Sequence, residues 1–232
     1  RLVSCFWENQ TDTQLINAVN NEFGTNIAVE EFSKVAQNLR TTYIDYSDYY
    51  DPATKNNLDL VQWAIEAHSS GWGYVWGTYG HVLTRSYYEA KLAQYPEGVG
   101  NYADFILANW LGKRTADCVG LVKGYCWFDP EAQSIGYAVN GMPDIATEQM
   151  IEWCDEKGSM DTMPEIPGLL LWMDGHVGIY IGDGYAIEAM GTRYGVVKTQ
   201  VAGRGWQKWG KIPCIEYIEE AEETEPSEAA VG

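Results

Sequence analysis

Three residues of this 232-residue chain have the types and neighbourhoods that nucleophilic catalysis needs: Cys118, His176 and Glu188. Cys118 stands in Asp117-Cys118-Val119-Gly120-Leu121-Val122, where a capping residue precedes an apolar run, so it falls in the first turn of a predicted helix. A helix start is the positive end of the macrodipole and favours a thiolate over a thiol. Taken without its surroundings, an unpaired cysteine is more often a buried core residue. His176 opens Gly175-His176-Val177-Gly178-Ile179-Tyr180-Ile181-Gly182, a strand pattern just after an Asp-Gly turn. Its ring can stand at a sheet end beside a cleft. An imidazole there can take a thiol's proton and return it to a leaving amine. Glu188 lies among Ala186, Ile187, Ala189 and Met190, and an acid in an apolar strand is costly without a partner. A tight Gly-Asp-Gly turn joins its strand to that of His176, so Glu188 can orient the imidazole as the third member of a triad.

The elements that must hold these residues change character along the chain. Leu15, Ile16, Val19 and Phe23 make one helical stripe, and Phe32, Val35, Ala36 and Leu39 a second, followed by the tyrosine-rich stretch TTYIDYSDYYDP. Asn57 can cap a helix carrying Leu58, Val61, Ala64 and Ile65, ended by Gly71, before a Gly/aromatic turn GWGYVWGTYG. Further helices are predicted over 85–95, 102–110 and 117–128, and one from about Ile145 to Lys157 with Asp144 as cap and Gly158 as stop. The helical stretch from Arg85 to Trp110 can wall a substrate groove. After Pro167, LLLWM, HVGIYIG, YAIEAM and GVVKTQV are strand-like runs separated by glycine turns, with KIPCIEYI a plausible last strand. Helices followed by an antiparallel meander predict an α+β domain. The division expected is an N-terminal helical segment 1–55, a catalytic domain 56–218, and an acidic linker or disordered tail 219–232.

Composition narrows the partners. With 33 acids against 15 bases the net charge is −18, which argues against the basic face that phosphate backbones require, so no nucleic-acid partner is expected. No apolar run reaches the roughly 18–20 residues of a membrane-spanning helix. The five cysteines are widely spaced, contain no Cys-x-x-Cys, and lie away from His68, His81 and His176 in sequence, so no metal or other cofactor is expected. Cys126, Cys154 and Cys214 read as core residues, in a helix, a helix and a strand. Leu2-Val3-Ser4-Cys5 resembles a lipoprotein processing site, although Cys5 can equally be an ordinary terminal residue. A start at Arg1 without an apolar leader reads as a processed piece of a longer product, and the acidic tail as a linker to a further domain.

The order of short motifs resembles the NlpC-type family of papain-like cysteine peptidases that cut bacterial cell-wall peptides. The matching pieces are GYVWG at 73–77, DCVGLVKGY at 117–125, Pro167-Gly168, HVGIYIGDG at 176–184 and YAIEAMG at 185–191. The resemblance covers roughly Asn57 to Tyr217. It implies a papain-like fold with helices packed on an antiparallel sheet, Cys118 as nucleophile, His176 as general base and acid, and Glu188 as the orienting residue. It further implies that Tyr74 lines the site, that Asp117 helps hold a substrate ammonium, and that the Cys118 N–H donates to the oxyanion. Trp76 in the same motif is a candidate for substrate contact. The implied partner is a peptidoglycan stem peptide, cut between the side-chain carboxyl of D-glutamate and a diamino acid, by an extracellular, wall-associated or phage-encoded enzyme. The sequence departs from the family at Val119, where serine is usual, at Leu169, where aspartate is usual, and at Glu188, where histidine, asparagine or glutamine is usual. CHAP-type amidases carry an acid or amide at the third position. An N-acetylmuramoyl-L-alanine amidase, an acyl transferase or an inactive wall-binding module therefore stand as alternatives.

Overall fold

The computed structural model describes residues 54–218, together with Ile16, Asn20 and Ala28. The chain divides into two compact units, 1–48 and 49–232. In the first, Ile16 and Asn20 are helical, as the first stripe requires. The second stripe, the tyrosine-rich stretch, Cys5 and the tail 219–232 lie outside the described residues.

The second unit opens with α1 (Asn57–Ser69), followed by β1 (Tyr79–Val82). Asn56, one residue before the expected cap, accepts from the Asp59 N–H at 2.8 Å and starts the helix. Asn57 is buried and acts as a clasp instead. Its amide donates to the Pro167 carbonyl at 2.9 Å and its oxygen accepts from the Ile218 N–H at 2.9 Å. Beside it the Glu216 N–H donates to the Lys55 carbonyl at 2.7 Å, and the Asn57 N–H donates to the Glu216 carbonyl at 2.9 Å. Pro167-Gly168 fits against this clasp: Gly168 has φ of +88°, and a Cβ there would lie 2.6 Å from Asn57.

The insert after β1 holds α2 (Arg85–Gln94), α3 (Pro96–Gly100) and α4 (Ala103–Asn109) around a small core of Val75, Leu83, Tyr88, Val99 and Ile106. The chain returns through β2 (Arg114–Ala116), antiparallel to β1, into α5 (Cys118–Trp127). Neither β1 nor β2 was expected, because Tyr-Gly-His-Val shows no apolar–polar alternation. α5 lies directly on the β1 backbone. A Cβ on Gly120 would come within 1.9 Å of the Thr78 carbonyl oxygen, and one on Gly124 within 2.2 Å of that of Tyr79. Glycine weakens a helix by about 1 kcal/mol per residue, so this approach is what the pair at 120 and 124 provides.

Next come the short pair β3 (Phe128–Asp129) and β4 (Ser134–Ile135), then α6 (Thr147–Trp153) and β5 (Lys157–Ser159). α6 is shorter than predicted. Cys154 turns to φ −59° and ψ 136° and ends it, while Lys157 and Gly158 pair with β10. Asp144 does not cap it but pairs with Lys123 at 2.5 Å, and the helix starts at Ala146, whose N–H bonds to Gln149. The strands β6 (Leu170–Met173), β7 (His176–Gly182), β8 (Tyr185–Gly191) and β9 (Gly195–Gln200) form the expected meander. With β5 and β10 (Lys208–Gly210) they make a wholly antiparallel sheet in the order β5-β10-β6-β7-β8-β9. The last strand is therefore β10, and KIPCIEYI is turns with one isolated bridge. Pro213 has no N–H to give a ladder, and Ile212 and Ile215 are buried. Cys214 accordingly lies in a turn and Cys154 at a helix end.

The domain is α+β, with helices against one face of an antiparallel sheet. Leu121, Val122 and Tyr125 of α5 pack with Val177, Ile179, Ile187 and Ala189 from that face. The opposite face buries Leu171, Tyr180 and Ala186 under Trp206 and Trp209. Strand alternation puts His176, Glu188 and Thr199 on this second side.

Candidate active site

The start of α5, the loop ahead of β1, α2 and the start of β7 surround a cleft of about 780 Å³. Tyr74, Trp76, Asp117, Cys118 and His176 line it, and Glu188 lies behind His176. Lys91 and Tyr95 bring the insert to the same cleft.

Asp117 is the N-cap of α5. One carboxylate oxygen accepts from the Gly120 N–H at 2.7 Å and the other from the Gly77 N–H at 2.7 Å. One side chain thus starts the helix and ties it to the GYVWG loop. Burial raises the pKa of Asp117, against the two N–H groups and the ammoniums of Lys123 and Lys91.

Cys118 occupies the first position of the helix, where its sequence placed it. Its ionisation differs from the sequence reading. Burial is the largest influence and pushes the thiol up to about 12, with the Asp117 charge adding to it. The N–H groups of Val177, Val119 and Cys118 itself favour the thiolate, but more weakly. The helix start alone therefore does not offset this burial, which favours transfer of the Cys118 proton to a base. Burial, followed by the charges of Cys118 and Asp117, also raises the Tyr74 phenol and keeps it protonated.

His176 Nε2 lies 2.6 Å from Glu188 Oε2. The Glu188 side chain is fully buried and accepts from three further donors. Thr199 Oγ1 and Arg204 Nε reach Oε1 at 2.7 and 2.8 Å, and Arg204 Nη2 reaches Oε2 at 2.6 Å. Burial pushes the Glu188 pKa up, but the bonds from His176, Arg204 and Thr199 outweigh it and hold the carboxyl at about 2. The carboxylate is an obligate acceptor, so Nε2 carries a proton and Nδ1 is left as the basic nitrogen. Trp206 stacks on the imidazole, with centroids 5.7 Å apart and planes 14° apart. Gly178 makes room for this stack, since a Cβ there would meet the Trp206 ring at 2.8 Å.

The cleft wall carries a second polar chain. Lys123, a lone base in an apolar helix, pairs with Asp144, which also accepts from the Tyr137 hydroxyl at 2.6 Å. Lys123, Thr199 and Arg204 carry no site expectation in the sequence, and Asp144 is expected there only as a helix cap. Only Lys123 had a visible signal, its position inside DCVGLVKGY. Among the described residues no group of three or more His, Cys, Asp or Glu could hold a metal ion. None of the described helices is long and apolar enough to cross a membrane.

No family model and no curated protein matches the chain. Several solved structures are similar to it. The P60 domain of an antigen from M. avium subspecies paratuberculosis is 22% identical, covering 68% of this chain and 97% of that one, with a TM-score of 0.40. The peptidoglycan hydrolase RipB of Mycobacterium tuberculosis is 18% identical over 89% of this chain and 82% of its own, also at 0.40. The NlpC/p60 domain of the peptidoglycan hydrolase SagA is 18% identical over 70% of this chain and 100% of its own, at 0.38.

Proposed function

We propose that the chain is a cysteine endopeptidase that hydrolyses peptidoglycan stem peptides, between the γ-carboxyl of D-glutamate and a diamino acid, outside the cell or at the wall. The observation that carries the chemistry is the 2.6 Å bond from His176 Nε2 to a buried carboxylate, with Cys118 at a helix start in the same cleft. The substrate class comes from the order of the GYVWG, DCVGLVKGY, Pro-Gly, HVGIYIG and YAIEAMG motifs. Cys118 Sγ attacks the scissile carbonyl carbon while its proton passes to His176 Nδ1. The backbone N–H of Cys118 donates to the resulting oxyanion. The C–N bond breaks as the imidazolium gives its proton to the leaving amine. Water, deprotonated by Nδ1, then cleaves the thioester and returns the free carboxylate and thiol. The steps use only Cys118, His176, Glu188 and water.

One feature favours a second reading, an N-acetylmuramoyl-L-alanine amidase working through the same Cys118 and His176: the third residue is the carboxylate of Glu188. Mass spectrometry of soluble products from purified sacculi separates the two. Dipeptides ending in D-glutamate, absent with Cys118→Ala, are expected for the endopeptidase. Release of intact stem peptides would move the assignment to amidase, and absence of any product across several wall types would overturn both.

A further inference from the structure

We infer that Arg204 is a positioning residue of this site: its two-pronged bond to Glu188 fixes the carboxylate in the orientation in which Oε2 accepts from His176, and so holds the imidazole for Cys118. The inference rests on the reading of Cys118 and His176 as nucleophile and base. Its geometry is independent of any substrate. Nε and Nη2 of one guanidinium reach the two oxygens of one carboxylate at 2.8 and 2.6 Å, a planar fork that neither Lys nor a single N–H can reproduce. Arg204 comes from the turn after β9, between Gly203 at φ +75° and Gly205 at φ +96°. The Val201 N–H anchors this turn to the Gly184 carbonyl at 2.8 Å. The guanidinium lies 5.7 Å from the ring centroid of Trp206, the indole that stacks on His176. Arg204, Glu188, His176 and Trp206 thus close a ring in which each member touches the next.

The charge arrangement says what the fork does. Glu188 is faced by His176 from β7, Thr199 from β9 and Arg204 from the turn that follows. The helices packed against β8 bring charges engaged elsewhere: Lys123 of α5 pairs with Asp144, Asp59 of α1 bonds to Asn56, and His68 of α1 bonds to the Val196 carbonyl. Arg204 is therefore the permanent cation on a buried carboxylate whose other charged partner, His176, gives up its proton during the proposed cycle. Without the fork, Glu188 takes up a proton more readily as pH falls, and a neutral carboxyl accepts from Nε2 only weakly and no longer stabilises the imidazolium.

The test is the pH dependence of Cys118 alkylation by iodoacetamide in the full chain, resolved by peptide mass spectrometry. It compares wild type, Arg204→Met, Arg204→Lys, Glu188→Gln/Arg204→Met and His176→Ala. In Arg204→Met the acid limb of the profile moves up by about one pH unit, roughly a tenfold loss of rate on the acid side. Arg204→Lys moves part of the way. The double variant has no carboxylate left to protonate and shows no such displacement of the limb. A folded Arg204→Met whose profile superimposes on wild type overturns the inference, as does a uniform loss at every pH. Should Arg204→Met not fold, Arg204→Lys decides, because one ammonium replaces two prongs; an unmoved limb there overturns the fork. Loss of the reading beneath it looks different: alkylation of Cys118 in wild type would be no faster than in His176→Ala. If the predicted limb shift is seen but sacculi yield no product, the inference holds and the wall substrate fails.

Discussion

At the scale of single residues, burial works against the nucleophile proposed for this site. Burial and Asp117 push the Cys118 thiol up to about 12, so the proposed mechanism needs a base to take its proton, and His176 in the same cleft is the candidate. His176→Ala is expected to slow alkylation of Cys118 at pH 7 by about 100-fold or more, since it removes the imidazole proposed to take the proton. A rate within a few-fold of wild type would show that the helix start alone suffices. Glu188→Ala leaves the Arg204 guanidinium without its partner and should destabilise the fold by about 3 kcal/mol in urea titration. The placement of Cys118 at a helix start, and of His176 and Glu188 on adjoining strands, was legible in the sequence because each sits inside a contiguous motif. Arg204 and Thr199 were not. They reach Glu188 through strand register and a glycine turn, and one arginine in a Gly-Arg-Gly turn carries no pattern of its own.

Among elements, α5 depends on what it lacks. The expected cost of Gly120→Ala is about 3 kcal/mol or more, because its methyl group would lie 1.9 Å from a backbone carbonyl that cannot swing aside. Gly175→Ala is the control. Its φ is +70° but nothing lies within 4 Å, so only the backbone term of about 1 kcal/mol is expected. Urea midpoints at unchanged slope distinguish the two, and equal losses would mean that α5 does not need the close approach. Gly178→Ala should displace the Trp206 ring from His176 and lower product release from sacculi while costing about 1–2 kcal/mol. β7, β8 and β9 were readable from their strand-like runs and glycine turns. β1 and β2 were hidden by a Gly/aromatic stretch without alternation. β10 is three residues long, and the apolar KIPCIEYI beside it drew the assignment because buried isoleucines resemble a strand until Pro213 is weighed.

For the whole molecule, acid stability follows from Glu188. Its folded pKa of about 2 lies below the 4.5 of a free glutamate, so the stabilisation is fully present above 4.5 and disappears as pH falls toward 2. The size is on the order of 2–3 kcal/mol. Relief of the −18 net charge works in the opposite direction over that range. The comparison is therefore the difference in thermal midpoint between wild type and Glu188→Gln/Arg204→Met, which should narrow from pH 5 to pH 2; a constant difference would refute the assignment. The same charge opposes approach to an anionic wall, so release of product from sacculi should quicken as salt rises to roughly 0.1–0.2 M and repulsion is screened. The α+β class was plain from helices followed by strand-like runs, whereas closure of the unit was invisible because it depends on contacts between residues near 56 and 217. There Asn57 and Lys55 meet Glu216 and Ile218 in one short row of hydrogen bonds. The two ends of the described stretch, near 55 and 218, thus lie side by side, like two ends of a cord at one buckle. Because Asn56 and Glu216 pair in parallel, a pull on the two ends loads this row of hydrogen bonds in shear.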